Sequence, residues 1–246
     1  MALQTITNKQ KSILRKLQQK KHRRLLGLCT VEGEKGVFEA FEAGVVEVVI
    51  IDSKYKGKIP KQVEVYVATP GELKDLQQTE TFPGIMAVCA IPEVKSIGNG
   101  HVIILDRMSD PGNMGTIIRT ADWFGIRDIV LSQECTDPYA PKVVRSTMGA
   151  IFRSNIILST DIVQDVKMLK KQGKIIVALD MNGEPLEKLK SGEKYGCIVG
   201  SESHGVDTQL LLIADQKIAI AGSGKGESLN AGVAAGIAIH AMFTNI

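Results

Sequence analysis

From residue 101 onward, apolar runs of strand length alternate with helix-periodic segments across short connections. HVIILD (101–106), DIVLS (128–132), FRSNIIL (152–158), KIIVALD (174–180), YGCIVG (195–200) and KIAIA (217–221) read as strands. Residues 113–124, a stretch near 141–149, 161–172, 207–214 and about 228–243 read as helices. This alternation predicts an α/β fold, a parallel sheet with helices on both faces, whose ligands sit in loops beyond the carboxyl ends of the strands.

The first hundred residues are patterned differently. NKQKSILRKLQQ (8–19) carries Ile13, Leu14 and Leu17 at helical spacing, and KKHRR then reads as a basic turn leading to a strand in LLGLCTVEG. EKGVFEAFEAG (34–44) predicts a helix closed by Gly44; VVEVVIID (45–52), VEVYVA (63–68) and GIMAVCAIP (84–92) predict strands. Thr69-Pro70 opens a short helix. PEVKSIGNG (92–100) is the best linker, giving a small α/β domain over 1–95 and a second over 96–246.

Of the 246 residues, 44% are hydrophobic, ample for packed cores, yet no run approaches the ~18 residues of a membrane span. The N-terminus lacks the apolar stretch of a secretory signal, so a cytoplasmic protein is expected. Cys29, Cys89, Cys135 and Cys197 are scattered without C-x-x-C spacing, which suits buried thiols rather than a disulfide framework or a zinc site. The net charge of +3 hides an asymmetry: residues 1–31 hold eight Lys/Arg and no acid, leaving 22 basic against 27 acidic residues elsewhere. A basic arm on a mildly acidic body is either a solvated helix face or a polyanion contact.

Three loops after strands concentrate the informative residues. In DRMSDPGNMGTIIRTADWFG (106–125), a turn and a helix cap account for Asp110, Pro111, Gly112 and Asn113. They leave Arg119 unexplained, a charge flanked by Ile117, Ile118 and Ala121 that needs a partner or a ligand. In GSESHGV (200–206), glycines at a strand exit allow close backbone approach to a ligand around Glu202, while His204 reads as a polar turn residue. In AGSGKGESLNAG (221–232), Ser228 reads as the cap of the last helix, and Asn230, a poor helix former, suggests a task. This last loop is not a P-loop: the positions that need a glycine and a hydroxyl hold Ala219 and Gly226.

Together the three loops resemble the motifs of the SpoU (TrmH-like) family of RNA ribose 2′-O-methyltransferases, of the SPOUT superfamily. Asp110, Pro111, Asn113, Gly115, Arg119, Thr120, Ala121, Phe124 and Gly125 match the first motif. Gly200, Glu202 and Gly205 match the second, and Glu227, Ser228, Leu229 and Asn230 the third. PKVVRSTMGA (141–150) is similar to the family's intervening segment, and KKHRRLLGLCTVEGEKGVFEAFEAGVVEVVIID to an L30e-like substrate-binding domain. One departure stands before the third loop, where the family's Ile-Pro-Met is Ile220, Ala221 and Gly222.

The resemblance implies a C-terminal trefoil knot binding S-adenosylmethionine, with Gly200, Ile220 and Leu229 as cofactor contacts. It implies that Arg119, Asn113, Glu202, Ser228 and Asn230 serve methylation of a ribose 2′-hydroxyl without a metal. Arg119 is the residue the family credits with activating the hydroxyl, and a guanidinium is better suited to stabilising an alkoxide than to acting as a base. Lys20, Lys21, Arg23, Arg24 and Arg145 become RNA contacts, a homodimer is expected, and ribosomal RNA, 23S in particular, is preferred over tRNA. A non-catalytic RNA-binding protein of the same fold would have lost motif residues, and none of Asn113, Arg119, Glu202, Ser228 or Asn230 is missing.

Overall fold

A computed structural model of the chain describes residues 4–190, 192–224 and 228–244. They divide into two compact units: residues 4–93 with 137–153, and 94–136 with 154–244.

The first unit contains β1 (Gln4–Thr5), α1 (Asn8–Leu17), α2 (Lys20–Leu26), β2 (Leu28–Glu32), α3 (Glu34–Glu42), β3 (Val46–Asp52), β4 (Glu64–Ala68), α4 (Pro70–Leu73) and β5 (Ile85–Ala90). Its sheet runs β1-β4-β3-β5-β2, with β5 antiparallel to both neighbours. Thr7 caps α1, whose Leu14 and Leu17 are buried among Ile50, Tyr66, Leu73 and Met86; each such side chain contributes about 1.5–3 kcal/mol by leaving water. The KKHRR segment is helix α2 and not a turn, ended by Gly27 in the left-handed region (φ 63°). Such a helix needs no strong periodicity when its termination is supplied by the glycine that follows.

The second unit holds β6 (Val102–Leu105), α5 (Pro111–Trp123) and β7 (Asp128–Leu131). The chain then contributes α6 (Pro141–Thr147) and a 3-10 turn, Ala150–Phe152, to the first unit, so the segment expected within a continuous 96–246 domain packs with the N-terminal one. Back in the second unit follow β8 (Asn155–Leu158), α7 (Ile162–Lys171), β9 (Ile175–Pro185), β10 (Tyr195–Val199), α8 (Thr208–Ile213), β11 (Gln216–Ala219) and α9 (Ala231–Thr244). All six strands are parallel in the order β11-β9-β10-β6-β7-β8.

Every residue of β6 and β10 is buried, so both faces of the sheet are covered. Val102, Ile104, Val130, Ile176 and Ile198 share one core with Val166 and Leu169 of α7 and Leu210 of α8. Helix α9 packs against β10 and α5. β9 is longer than the sequence suggests: β11 pairs with Val177 and Ala178, then skips to Glu184 and Pro185. At Gly183 a Cβ would fall 2.5 Å from the carbonyl carbon of Lys217, so backbone crosses backbone there and only glycine fits.

Candidate active site

The order of the second sheet reverses between β6 and β10: the chain runs outward from β6 through β7 and β8, then starts again on the other side. The crevice beyond the carboxyl ends of those two strands is where an open α/β sheet takes its ligand. The loops leaving β6 and β10 hold the first two sequence motifs.

Asp110 caps α5 by accepting the Asn113 amide at 2.7 Å, with Pro111 at the first turn. This fixes Asn113 on the first turn, where its side-chain amide donates to Glu202 of the loop after β10. Asn230 joins them from the third loop. Its carboxamide oxygen accepts the Gly232 and Val233 amides at 3.0 and 3.2 Å, making it the cap of α9. The cap is therefore Asn230 and not Ser228, and the residue sits where asparagine is favoured, at no cost in helix propensity. A Cβ on Gly232 would lie 3.2 Å from both the Asn113 and Asn230 side-chain oxygens, so this glycine lets the two carboxamides converge.

Arg119 is exposed, while its neighbours Ile117, Ile118 and Ala121 are fully buried on the other side of α5. The apolar sequence around it reflects the helix's inner face and not a buried charge. Among the described residues Arg119 has no hydrogen bond or ion pair, leaving its five donors to solvent or a ligand.

Gly200 has a different reason from the one the sequence suggests. A Cβ there would lie 2.1 Å from the Gly205 carbonyl carbon, so the glycine makes room for the chain's own loop. That loop is pinned by the Gly205 amide on the Ser201 carbonyl at 2.9 Å, and by Gly205 in the left-handed region (φ 65°). Ser228 and Leu229 are exposed, Leu229 by 50%, and Ile220 is partly exposed. Ala221 and Gly222 are exposed, and a Cβ at Gly222 would meet nothing within 4 Å, so a larger residue would be tolerated there. Lys225 and Glu227 lie outside the described residues. His204 is exposed, its Nδ1 2.7 Å from Ser203 Oγ.

A network that the sequence did not reveal holds the exit of β6. Arg107, in the left-handed region (φ 54°), donates its amide to Ser132 at 2.9 Å and its guanidinium to Asp106. The Met108 amide donates to the Cys135 sulfur, whose thiol burial pushes above its ordinary pKa and so keeps neutral. The buried Asp106 carboxylate also accepts the Asp207 amide at 2.8 Å. Nothing in the residue type marks Arg107, because arginine carries no sequence signal for a left-handed backbone.

In the first unit, Lys20, Lys21 and Arg24 are exposed on α2 beside Leu25, which is 74% exposed. Arg23 is not available to RNA: it is 4% exposed, binding Asp137 through Nε at 2.8 Å and Nη2 at 2.5 Å, and the Leu17 carbonyl through Nη1 at 2.8 Å. One helical step rotates it from the solvent face of its neighbours into the core. Arg145 is exposed and lines, with Gly33, Lys35 and Gly36 at the start of α3, a hollow of about 210 Å³. All four cysteines are buried and free.

The model of the SpoU rRNA Methylase family matches residues 100–240, which takes in every strand of the parallel sheet and all three loops. The chain belongs to the SpoU family. The MRM3-like substrate binding domain model matches residues 8–87. Over 232 residues, 92% of each protein, this SpoU protein is 34% identical to the Bacillus subtilis (strain 168) 23S rRNA (guanosine(2553)-2′-O)-methyltransferase RlmP. Among solved structures it resembles a TrmH-family protein from Porphyromonas gingivalis (TM-score 0.87, 27% identity, covering 98% of this chain and 100% of that one). The SpoU methyltransferase AviRb from Streptomyces viridochromogenes, solved with AdoMet, shares the fold (TM-score 0.85, 22% identity, covering 97% and 98%).

Proposed function

We propose that this protein methylates a ribose 2′-hydroxyl in structured RNA using S-adenosylmethionine, with 23S ribosomal RNA as substrate. The observation that carries the reading is the convergence of Asn113, Glu202 and Asn230 from three separate loops, with Arg119, unpaired among the described residues, further along α5. The name and two-domain coverage of the B. subtilis relative support ribosomal RNA over tRNA. A non-catalytic role finds no support in a site that keeps these groups assembled.

The residues fit the cofactor. An adenine needs an apolar slot and backbone hydrogen bonds, and the chain supplies the backbone around Gly200 with the partly exposed side chain of Ile220 and the exposed one of Leu229. When bound, the cofactor supplies an electrophilic methyl on a sulfonium. Arg119 then binds the RNA phosphate beside the target and stabilises negative charge developing on the 2′-oxygen. Asn113, held by Glu202, orients the ribose together with Asn230 and Ser228, a task of positioning that proximity rewards.

Lys20, Lys21, Arg24 and Arg145 contact phosphates, and the N-terminal unit is an L30e-like substrate domain. The crossing of β9 and β11 at Gly183 supports a trefoil knot, and the exposed Trp123, Val233, Ile237 and Phe243 on α5 and α9 support a homodimer. The protein acts in the cytoplasm. Titration calorimetry with S-adenosylmethionine and with ATP tests the reading: the first should bind, and binding of ATP alone would overturn it.

A further inference from the structure

We propose that Arg107 is a positioning residue that clamps the loop after β10, holding both the Gly200 backbone and the Glu202 carboxylate in their working places. The inference rests on the methyltransferase reading for its effect on the cofactor, but the clamp is a property of this chain alone.

The geometry is a fork hydrogen-bonded to two acceptors and ion-paired with a third group. Arg107 reaches Asp106 with Nε (3.2 and 3.3 Å) and Nη2 (3.0 Å), the Gly205 carbonyl with Nη2 (3.4 Å), and Asp207 with Nη1 (3.8 Å). Gly205 and Asp207 lie at the far end of the loop whose near end is Gly200, and Gly205 is bound in turn to Ser201. Asp106, 3% exposed, ties the same loop through the Asp207 amide, so Arg107 and Asp106 brace it from the end of β6. Glu202 sits inside this braced loop and meets Asn113 across the crevice.

The backbone points the same way. A left-handed φ of 54° disfavours a branched or long side chain, and glycine would be the unstrained choice at this position. An arginine kept there, with its amide on Ser132, spends conformational preference on a side-chain function, and strain of this kind gathers at ligand sites.

Arg107→Gly separates a clamp from a purely structural part, because it relieves the backbone while removing the fork. The variant should stay folded, relief of the left-handed backbone offsetting part of the loss of Asp106's partner, show faster hydrogen exchange at the amides of 201–206 in cofactor-free protein, and bind S-adenosylmethionine on the order of tenfold more weakly, the equivalent of one charge-assisted hydrogen bond. Arg107→Lys, which keeps the charge without the planar fork, should recover part of the affinity. Unchanged exchange in 201–206 would overturn the clamp, and faster exchange with parental affinity would overturn its positioning role. A parent protein that fails to bind S-adenosylmethionine would count against the methyltransferase reading instead, with the exchange result still judging the clamp.

Discussion

The side-chain amide of Asn113, on the first turn of α5, is hydrogen-bonded to the carboxylate of Glu202, 89 residues further along the chain. The contact joins the exits of the two central strands at the point where the sheet's order reverses. Glu202→Ala should lower methyl transfer roughly 10- to 100-fold, about 1.4 to 2.8 kcal/mol in the barrier. Asn113→Ala should do the same, and the double variant should fall well short of the product of the two, as expected of residues acting as one unit. Multiplicative losses in single-turnover rates would show that the two act independently.

Arg119 has a separate signature. Its guanidinium is exposed and unpaired among the described residues, so removal leaves the fold and the cofactor pocket intact. Arg119→Ala should cut the rate by about two to three orders of magnitude, the range of a lost charge-stabilising donor, with cofactor affinity unchanged. Retained methyl transfer in that variant would remove Arg119 from the mechanism.

Adjacent arginines on α2 should part company. Asp137→Ala strands the buried Arg23 charge and should destabilise by about 3–5 kcal/mol in chemical denaturation, whereas replacing the pair by Met and Leu should be far milder. Arg24→Ala should leave stability alone and flatten the salt dependence of RNA affinity, by about 0.7–0.9 in log–log slope if it holds one phosphate. Equal effects of Asp137→Ala and Arg24→Ala on stability would contradict the burial.

Acid should loosen the second unit through His101. Burial, then the charges of Lys194 and Lys174, hold the imidazole below its ordinary value of 6.5, and its Nδ1 accepts the Tyr195 amide at 3.2 Å. Because the folded-state value is the lower one, His101 adds no pH dependence well above 6.5, and its stabilisation is lost as pH falls below that value toward the folded one. Unfolding free energies measured from pH 7.5 to 5 should drop less steeply in His101→Gln than in the parent; parallel curves would exclude His101 as the cause.

Much of this was legible in the sequence. The strands of the parallel sheet announce themselves as apolar runs, and the motif residues Asn113, Glu202 and Asn230 meet in space. What the sequence hid was three-dimensional. Whether Arg23 or Arg24 faces the core depends on Asp137, more than a hundred residues away. The missing side chain of Gly200 looked like room for a ligand, because the loop that fills that space returns only at Gly205. Residues 137–153 follow β7 in the chain but pack with the N-terminal unit, a choice local periodicity cannot express.

Purified protein, labelled S-adenosylmethionine and RNA lacking its natural modifications test the central claim most directly. Label should enter 23S rRNA, at a single ribose whose 2′-O-methyl resists alkaline cleavage, with none in tRNA and a rate about two to three orders of magnitude lower from Arg119→Ala. Label in a tRNA alone, on a base instead of a ribose, or nowhere with the cofactor bound, would contradict it.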